Sequence, residues 1–385
     1  MLRIIVLATA TFAVGTDGFV INGLLPAIGR DLAVPTATAG QLVTVFALTY
    51  AVLSPVLGSL TARTDRKRVV LAGLGVFVLS NVLTATAVSF GVAVASRVLA
   101  GAAAAVITPT AVAVAVSLVD EGRRGRALAL VMGGLSVASA VGVPLGTWIG
   151  GTDWRLTLWL VAVVGAAALL GIVVGVPAVV LSAPARLRER LAPLGDRRVL
   201  MSALTTVLTF AALYTTFTYI APVVAPATGG DAGLLALLLW VAGVAGVLGN
   251  IAAGHLTDRT GARPVVLVGL TGLVVVQAIL LLPISMVLAV VWAIGGGIIW
   301  LVVVGQQHRI VSLAPQSAQV VLGLNGSALY LGISLGAAIG GIALGVGGTG
   351  AVVASAVGLA ALAALFTVAT FRRPAQALPP LAATS

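Results

Sequence analysis

The chain has 385 residues, of which 60% are apolar and only 8% are Asp, Glu, Lys or Arg, against about 25% charged in a soluble domain. A mean hydropathy of +1.19 excludes a water-soluble enzyme and, with so little charge, a disordered chain. The 21 basic and 10 acidic residues leave a net charge of +11, and there is no cysteine; disulfides, Cys-ligated zinc, thiolate catalysis and iron–sulfur clusters are thereby excluded.

A bilayer-crossing helix needs about 20 mostly apolar residues. The hydropathy pattern predicts twelve such segments, near 4–25, 39–60, 69–89, 91–118, 127–151, 156–181, 199–222, 233–256, 264–285, 286–306, 319–345 and 351–371. Long unbroken apolar runs favour helices over barrel strands, which alternate every second residue. The first segment continues through Asp17 to Pro26 with no small-residue cleavage pattern, so it is read as a span and not as a cleaved signal.

The basic residues set the orientation. With the N-terminus in the cytoplasm, Arg3, Arg63, Arg66, Lys67, Arg68, Arg123, Arg124, Arg126, Arg186, Arg188, Arg190, Arg197, Arg198, Arg259, Arg263, Arg309, Arg372 and Arg373 all fall inside. Only Arg30 and Arg155 fall outside, and Arg97 lies within a span. This obeys the positive-inside rule. The net charge therefore faces anionic lipid headgroups and is no sign of nucleic-acid binding.

The polar stretch 182–198 divides the chain into six spans and six. Gly58-Ser-Leu-Thr-Ala-Arg63 after span 2 echoes Gly254-His-Leu-Thr-Asp-Arg259 after span 8, and Val116-Ser-Leu118 echoes Val311-Ser-Leu313. The two pairs share nearly one offset, which points to an internal duplication. The expected organisation is an N-terminal six-helix bundle (1–181), a cytoplasmic linker (182–198), a C-terminal six-helix bundle (199–371) and a cytoplasmic tail (372–385). The fold class is an all-α polytopic membrane protein with both termini cytoplasmic. Bundles repeated in parallel can rock about a central cavity.

Four motifs carry chemistry. Gly58, Arg63, Asp65, Arg66 and Lys67 form the loop after span 2, where Gly58 allows close helix approach and Asp65 can hold a helix end through charge-assisted hydrogen bonds. Asp258 and Arg259 repeat part of the loop in the second half. Arg97 in Ser96-Arg97-Val-Leu-Ala-Gly101 and Asp17 in span 1 are the two charges inside spans, which marks them as functional candidates. Arg97 lies about 9 Å and Asp17 about 12 Å from the outer ends of their predicted spans, so the two should be neighbours, either as a proton site or as a static staple. In span 5, Gly142, Gly146 and Gly150 recur every four residues, and Pro144 bends the helix beside them. Gly332, Gly336 and Gly340 make a similar row in span 11.

The loop after span 2 resembles the signature Gly-x-x-x-Asp-Arg-x-Gly-Arg-Arg/Lys of the major facilitator superfamily. It departs from that signature at Ala62, usually acidic, and at Asp65, usually Gly; the acidic latch role passes to Asp65 or is weakened. The Arg97 segment is similar to the superfamily's span-4 motif, in which an arginine takes part in proton transfer. Gly142-Val-Pro144-Leu-Gly146 resembles the antiporter motif of drug–proton exporters, as varied in arabinose-efflux-like and chloramphenicol-resistance permeases. Trp154-Arg155, Thr16-Asp17 through Pro26 and Gln41 through Tyr50 fit the same subgroup.

The resemblance implies a secondary transporter that exchanges protons for small neutral or weakly polar compounds, such as antibiotics or sugars, across a bacterial cytoplasmic membrane. Proton-coupled or facilitated nutrient uptake is the alternative. Its expected partners are a small-molecule substrate, protons and the bilayer, and by family analogy it is a monomer. Cavity-lining candidates are the polar and aromatic residues within spans: Asn22, Tyr50, Asn81, Tyr214, Tyr219, Trp240, Asn250, Gln306, Gln307, Asn325 and Tyr330. No phosphate-binding loop, spaced metal-ligand set or hydrolytic acid–base pair is present, so no cofactor, metal or enzymatic activity is expected.

Overall fold

A computed structural model describes residues 1–179 and 187–371. Part of the predicted linker, with Arg186, and the predicted tail, with Arg372 and Arg373, lie outside the described residues.

The described chain is helical. The elements are α1 (Leu2–Asp31), α2 (Thr36–Ala39), α3 (Gln41–Leu60), α4 (Arg66–Ala85), α5 (Phe90–Ser117), α6 (Arg124–Val137), α7 (Val143–Gly150) and α8 (Trp154–Gly175), then α9 (Leu187–Leu191), α10 (Arg197–Phe217), α11 (Ile220–Thr228), α12 (Ala232–Thr260), α13 (Ala262–Ile279), α14 (Met286–Gly295), α15 (Ile299–Leu313) and α16 (Ala318–Phe371). Eleven helical stretches among them are long and apolar enough to cross a membrane. The last, α16, would be far longer than a bilayer is thick, but Gly347 and Gly348 interrupt it with non-helical backbone.

Local chemistry explains the breaks. Asp65, Ser89, Asp153, Asp196, Asp231 and Ser285 each cap a helix by accepting a backbone N–H of its first turn, which satisfies donors that a helix start leaves orphaned. Gly229 ends α11 with a left-handed backbone, a conformation that glycine adopts without steric cost. Pro144 has no N–H to give, and the chain before it, Ala138–Gly142, widens into a π-turn between α6 and α7.

The outer surface is apolar, with Val88, Leu170, Val174, Val346 and Leu365 among the exposed side chains, as a lipid-facing surface requires. One buried cluster joins residues of both halves: Leu24, Ile28 and Leu42 pack with Tyr219, Val224 and Leu238. It lies toward the helix ends that meet the turns at 32–35, 86–89 and 229–231, the end that the charge pattern of the sequence assigns to the outside and that is called the outer end below. Toward the opposite end the cores separate. Residues of the first half gather around Leu7, Phe46, Leu74 and Ile107, and residues of the second around Val266, Leu270 and Val302.

Two boundaries differ from the sequence reading in ways that matter. Helix α1 runs to Asp31, so Asp17 sits at its middle and further from its outer end than the predicted span placed it. Helix α15 runs to Leu313, which takes Arg309 out of a loop and into a helix, 9% exposed, with its guanidinium 4.0 Å from the Phe371 ring centroid.

Candidate functional site

Helices α1, α3 and α5 meet around one ion pair. Arg97 Nη1 donates to Asp17 Oδ1 at 2.6 Å, and Nη2 reaches the Asp17 backbone oxygen at 3.4 Å. The side chains are 1% and 0% exposed. The guanidinium also lies 4.5 Å from the Phe46 ring centroid on α3, a favourable cation–π distance. The pair is incompletely satisfied: Asp17 Oδ2 and Arg97 Nε are buried without a hydrogen-bond partner. A buried pair repays its desolvation only when such remaining atoms find partners, so this one has spare capacity for a proton or a polar ligand group.

The glycine row of span 5 brings α7 against the same helix. A Cβ at Gly142 would strike Thr16, one at Gly146 would strike Val20, and one at Gly150 would strike Leu24. Four-residue steps on one helix thus match four-residue steps on the other, directly beside Asp17. The π-turn faces the second half: a Cβ at Gly243 on α12 would lie 2.6 Å from Ala140 Cα and Ser139 O. The span-11 row repeats the plan, with Gly332, Gly336 and Gly340 closing on α10 from Val207 to Thr215 and on Tyr219 just beyond it.

The loop motif acts within the first half. Asp65 Oδ1 accepts from Lys67 N at 2.9 Å and from Val179 N at 3.0 Å, while Arg66 N donates to Val179 O at 2.8 Å. Lys67 Nζ reaches Val173 O at 2.8 Å, and Arg66 Nη2 reaches Ala62 O at 3.0 Å. Asp65 therefore ties α4 to the chain leaving α8. Arg63 is exposed and Ala62 is buried. The close approach at Gly58 is made by the linker and not by another span: Arg190 Nη2 donates to Gly58 O at 3.2 Å, and a Cβ at Gly58 would sit 3.0 Å from Arg190 Nη1. Asp258 and Arg259 lie exposed at the end of α12.

The cavity candidates divide. Tyr50 and Tyr330 stack with ring centroids 3.6 Å apart, and Tyr214 joins Phe19, Phe210 and Phe217. Asn22 is buried, with Nδ2 on Phe19 O and Oδ1 unsatisfied. Gln306 and Asn325 line a small void of about 10 Å³ within the second half; Gln306 Nε2 donates to Ser202 O at 3.2 Å, and Thr206 Oγ1 donates to Asn325 Oδ1 at 2.7 Å. Three assignments change. Trp240 is 49% exposed and stands outside the aromatic cluster of Tyr50, Tyr214 and Tyr330. Gln307 is exposed. Tyr219 is a wedge at the outer end, its hydroxyl donating to Ala337 O at 2.9 Å. Asn250 is half-buried, and Asn81 bonds its own helix at Phe77 O. Phe46, Ser202 and Thr206 were not singled out by sequence; the four-residue step from Phe46 to Tyr50 is the one signal that places Phe46 on this face.

Buried charge and paired glycine rows inside a lipid-facing helical body define a multi-pass membrane transporter. Sequence and structure comparisons agree. The profile of the Major Facilitator Superfamily matches residues 7–336. The uncharacterized MFS-type transporter YbcL of Bacillus subtilis (strain 168) is 32% identical over 347 residues, covering 88% of each chain. The chloramphenicol resistance protein of Streptomyces lividans is 37% identical over 278 residues, 70% of each chain. The inner membrane transport protein YdhP of Escherichia coli O157:H7 is 30% identical over 351 residues, 89% of each. The nucleoside transporter NupG shares the fold, with a TM-score of 0.75 at 13% identity over 97% of this chain and 99% of that one. The chain belongs to the major facilitator superfamily. It is a transporter and not an enzyme.

Proposed function

We propose that the chain is a proton-coupled exporter of small neutral or weakly polar compounds, working as a monomer in the bacterial cytoplasmic membrane. Counting α16 as two spans, one on each side of Gly347 and Gly348, gives twelve, arranged as two six-helix bundles with cytoplasmic termini. The observation that carries the reading is the buried, incompletely satisfied Asp17–Arg97 pair at the middle of α1.

The pair supplies a chemical cycle. With Asp17 ionised, Arg97 neutralises it. A proton arriving from outside removes that attraction and loosens α1 from α5, while Phe46 still offers its ring face to the guanidinium. Substrate loading from the cytoplasm accompanies loss of the proton to the cytoplasm. Proton entry down its gradient then drives substrate exit. Alternating access is supported by the joined outer ends and separate inner cores, an arrangement suited to an inward-facing state. Export is supported by the glycine row beside Asp17 and by the kinship with the Streptomyces lividans chloramphenicol resistance protein.

Inside-out membrane vesicles with an acid interior test this reading. Adding uncharged antibiotics and sugars one at a time should release protons from the lumen for at least one compound, and Asp17→Asn vesicles should release none. Equal release by the variant would remove Asp17 from the cycle.

A further inference from the structure

The chain is poor in aromatic residues, at 5%, and has only four tyrosines. Three of the four converge at the level of Asp17. Tyr50 on α3 stacks on Tyr330 of α16 with an interplanar angle of 20°. Phe46 lies 6.4 Å from Tyr330 and carries the Arg97 guanidinium over its ring at 4.5 Å. Tyr214 continues the cluster to Phe19 at 6.5 Å and Phe217 at 5.5 Å. The stack joins the two halves of the chain, and Tyr330 packs against both the outer cluster and the first-half core.

The stack's geometry is unusual. A centroid distance of 3.6 Å at a small tilt is close to face-to-face, whereas aromatic pairs prefer offset or edge-to-face contact. A third ring entering between the two tyrosine faces would meet both, once they part by about one further ring thickness, ~3.5 Å. One turn outward, Ser334 Oγ donates to Thr44 O at 3.0 Å, tying α16 to α3 on the outer side of the stack. A parting of the helices therefore opens the stack from the inner side. The nearby ion pair has already neutralised its own charge.

We infer that the transported compound carries an uncharged planar aromatic ring, held between Tyr50 and Tyr330 when the halves part. This rests on the transport reading above and narrows its substrate class from antibiotics or sugars to ring-bearing compounds. Each tyrosine face would meet the ligand ring at about 3.5 Å, ordinary van der Waals contact. Sugars, which need dense hydrogen bonding, find ring faces and few polar groups.

The test is ligand-induced thermal stabilisation of the full chain in lipid nanodiscs. The panel holds chloramphenicol, pairs of uncharged amides and alcohols that differ only in phenyl against cyclohexyl, and arabinose and glucose. Ring-bearing members should stabilise the protein, with the phenyl member of a pair binding at least about tenfold more tightly than its cyclohexyl partner. The Tyr50→Phe/Tyr330→Phe variant should keep this within about threefold, and Tyr50→Leu/Tyr330→Leu should lose it, its unliganded melting point reporting whether it folds. Asp17→Asn should still be stabilised, which separates ring binding from proton coupling. Equal stabilisation by cyclohexyl compounds or sugars, no stabilisation by any ring-bearing member, or retention in a folded Leu variant would overturn the inference.

Discussion

Asp17 and Arg97 are each other's main partner, so removing either has predictable consequences. Arg97→Gln leaves a carboxylate buried without its counter-charge, a loss of about 3–5 kcal/mol. The melting temperature in detergent should fall sharply, and Asp17→Asn added to Arg97→Gln should restore much of it. Asp17→Asn leaves Arg97 buried without its counter-charge but still over the Phe46 ring face, so it should fold and insert with a lowered melting temperature. If Arg97→Gln melts like the parent, the pair is not the buried, coupled unit that the 2.6 Å contact implies. Both residues were legible in the sequence because a charge inside an apolar run stands out. Their depth was less so. Arg30 and Asp31 lower the local hydropathy at the end of α1, yet the helix continues through both, which moves Asp17 to the centre. The Tyr50–Tyr330 contact was not legible: it joins residues from the two halves of the chain, and no periodicity reports such a pairing. Trp240 and Arg309 show the same limit from the other side, since which way a side chain faces is decided by the neighbouring helix.

At the scale of elements, the glycines are not equivalent. A side chain at Gly134 would run into the Ala8 carbonyl and Thr11, and these are backbone and a packed hydroxyl that cannot swing away. Its neighbour Gly133 has open space. Gly134→Val should therefore destabilise the protein by about 1–3 kcal/mol or more, while Gly133→Val should change its melting temperature little. At Gly58 the neighbour is the flexible end of Arg190, so Gly58→Ala should be milder than Gly134→Val. Equal melting temperatures for the Gly133 and Gly134 variants would argue against the α1–α6 packing. The glycine rows were visible in the sequence as a four-residue repeat. Their partners were not, and the structure supplies them: α1 for the row in α7, and α10 for the row in α16.

Over the whole molecule, the outer end is where the halves hold together. Gly151 at the end of α7 lies against Ala232 at the start of α12, so that a Cβ at 151 would crowd the Ala232 side chain. The chain has no cysteine of its own, and a Gly151→Cys/Ala232→Cys variant should cross-link under oxidation once the two Cβ positions, 2.5 Å apart, spread to the ~3.8 Å that a disulfide needs. The cross-linked form should lose transport, and reduction should return it. Cross-linking that leaves transport intact would mean that the outer end never opens during the cycle.

If substrate loading and a proton on Asp17 exclude each other, binding must release a proton, and that release can be measured. The purified protein is held in weakly buffered detergent with a pH-sensitive dye, and the compound that drives proton exchange in vesicles is added. The parent should release protons on binding, and Asp17→Asn should bind the same compound and release none. Proton release by Asp17→Asn, or binding to the parent with no release at any pH between 5 and 8, would contradict that exclusion.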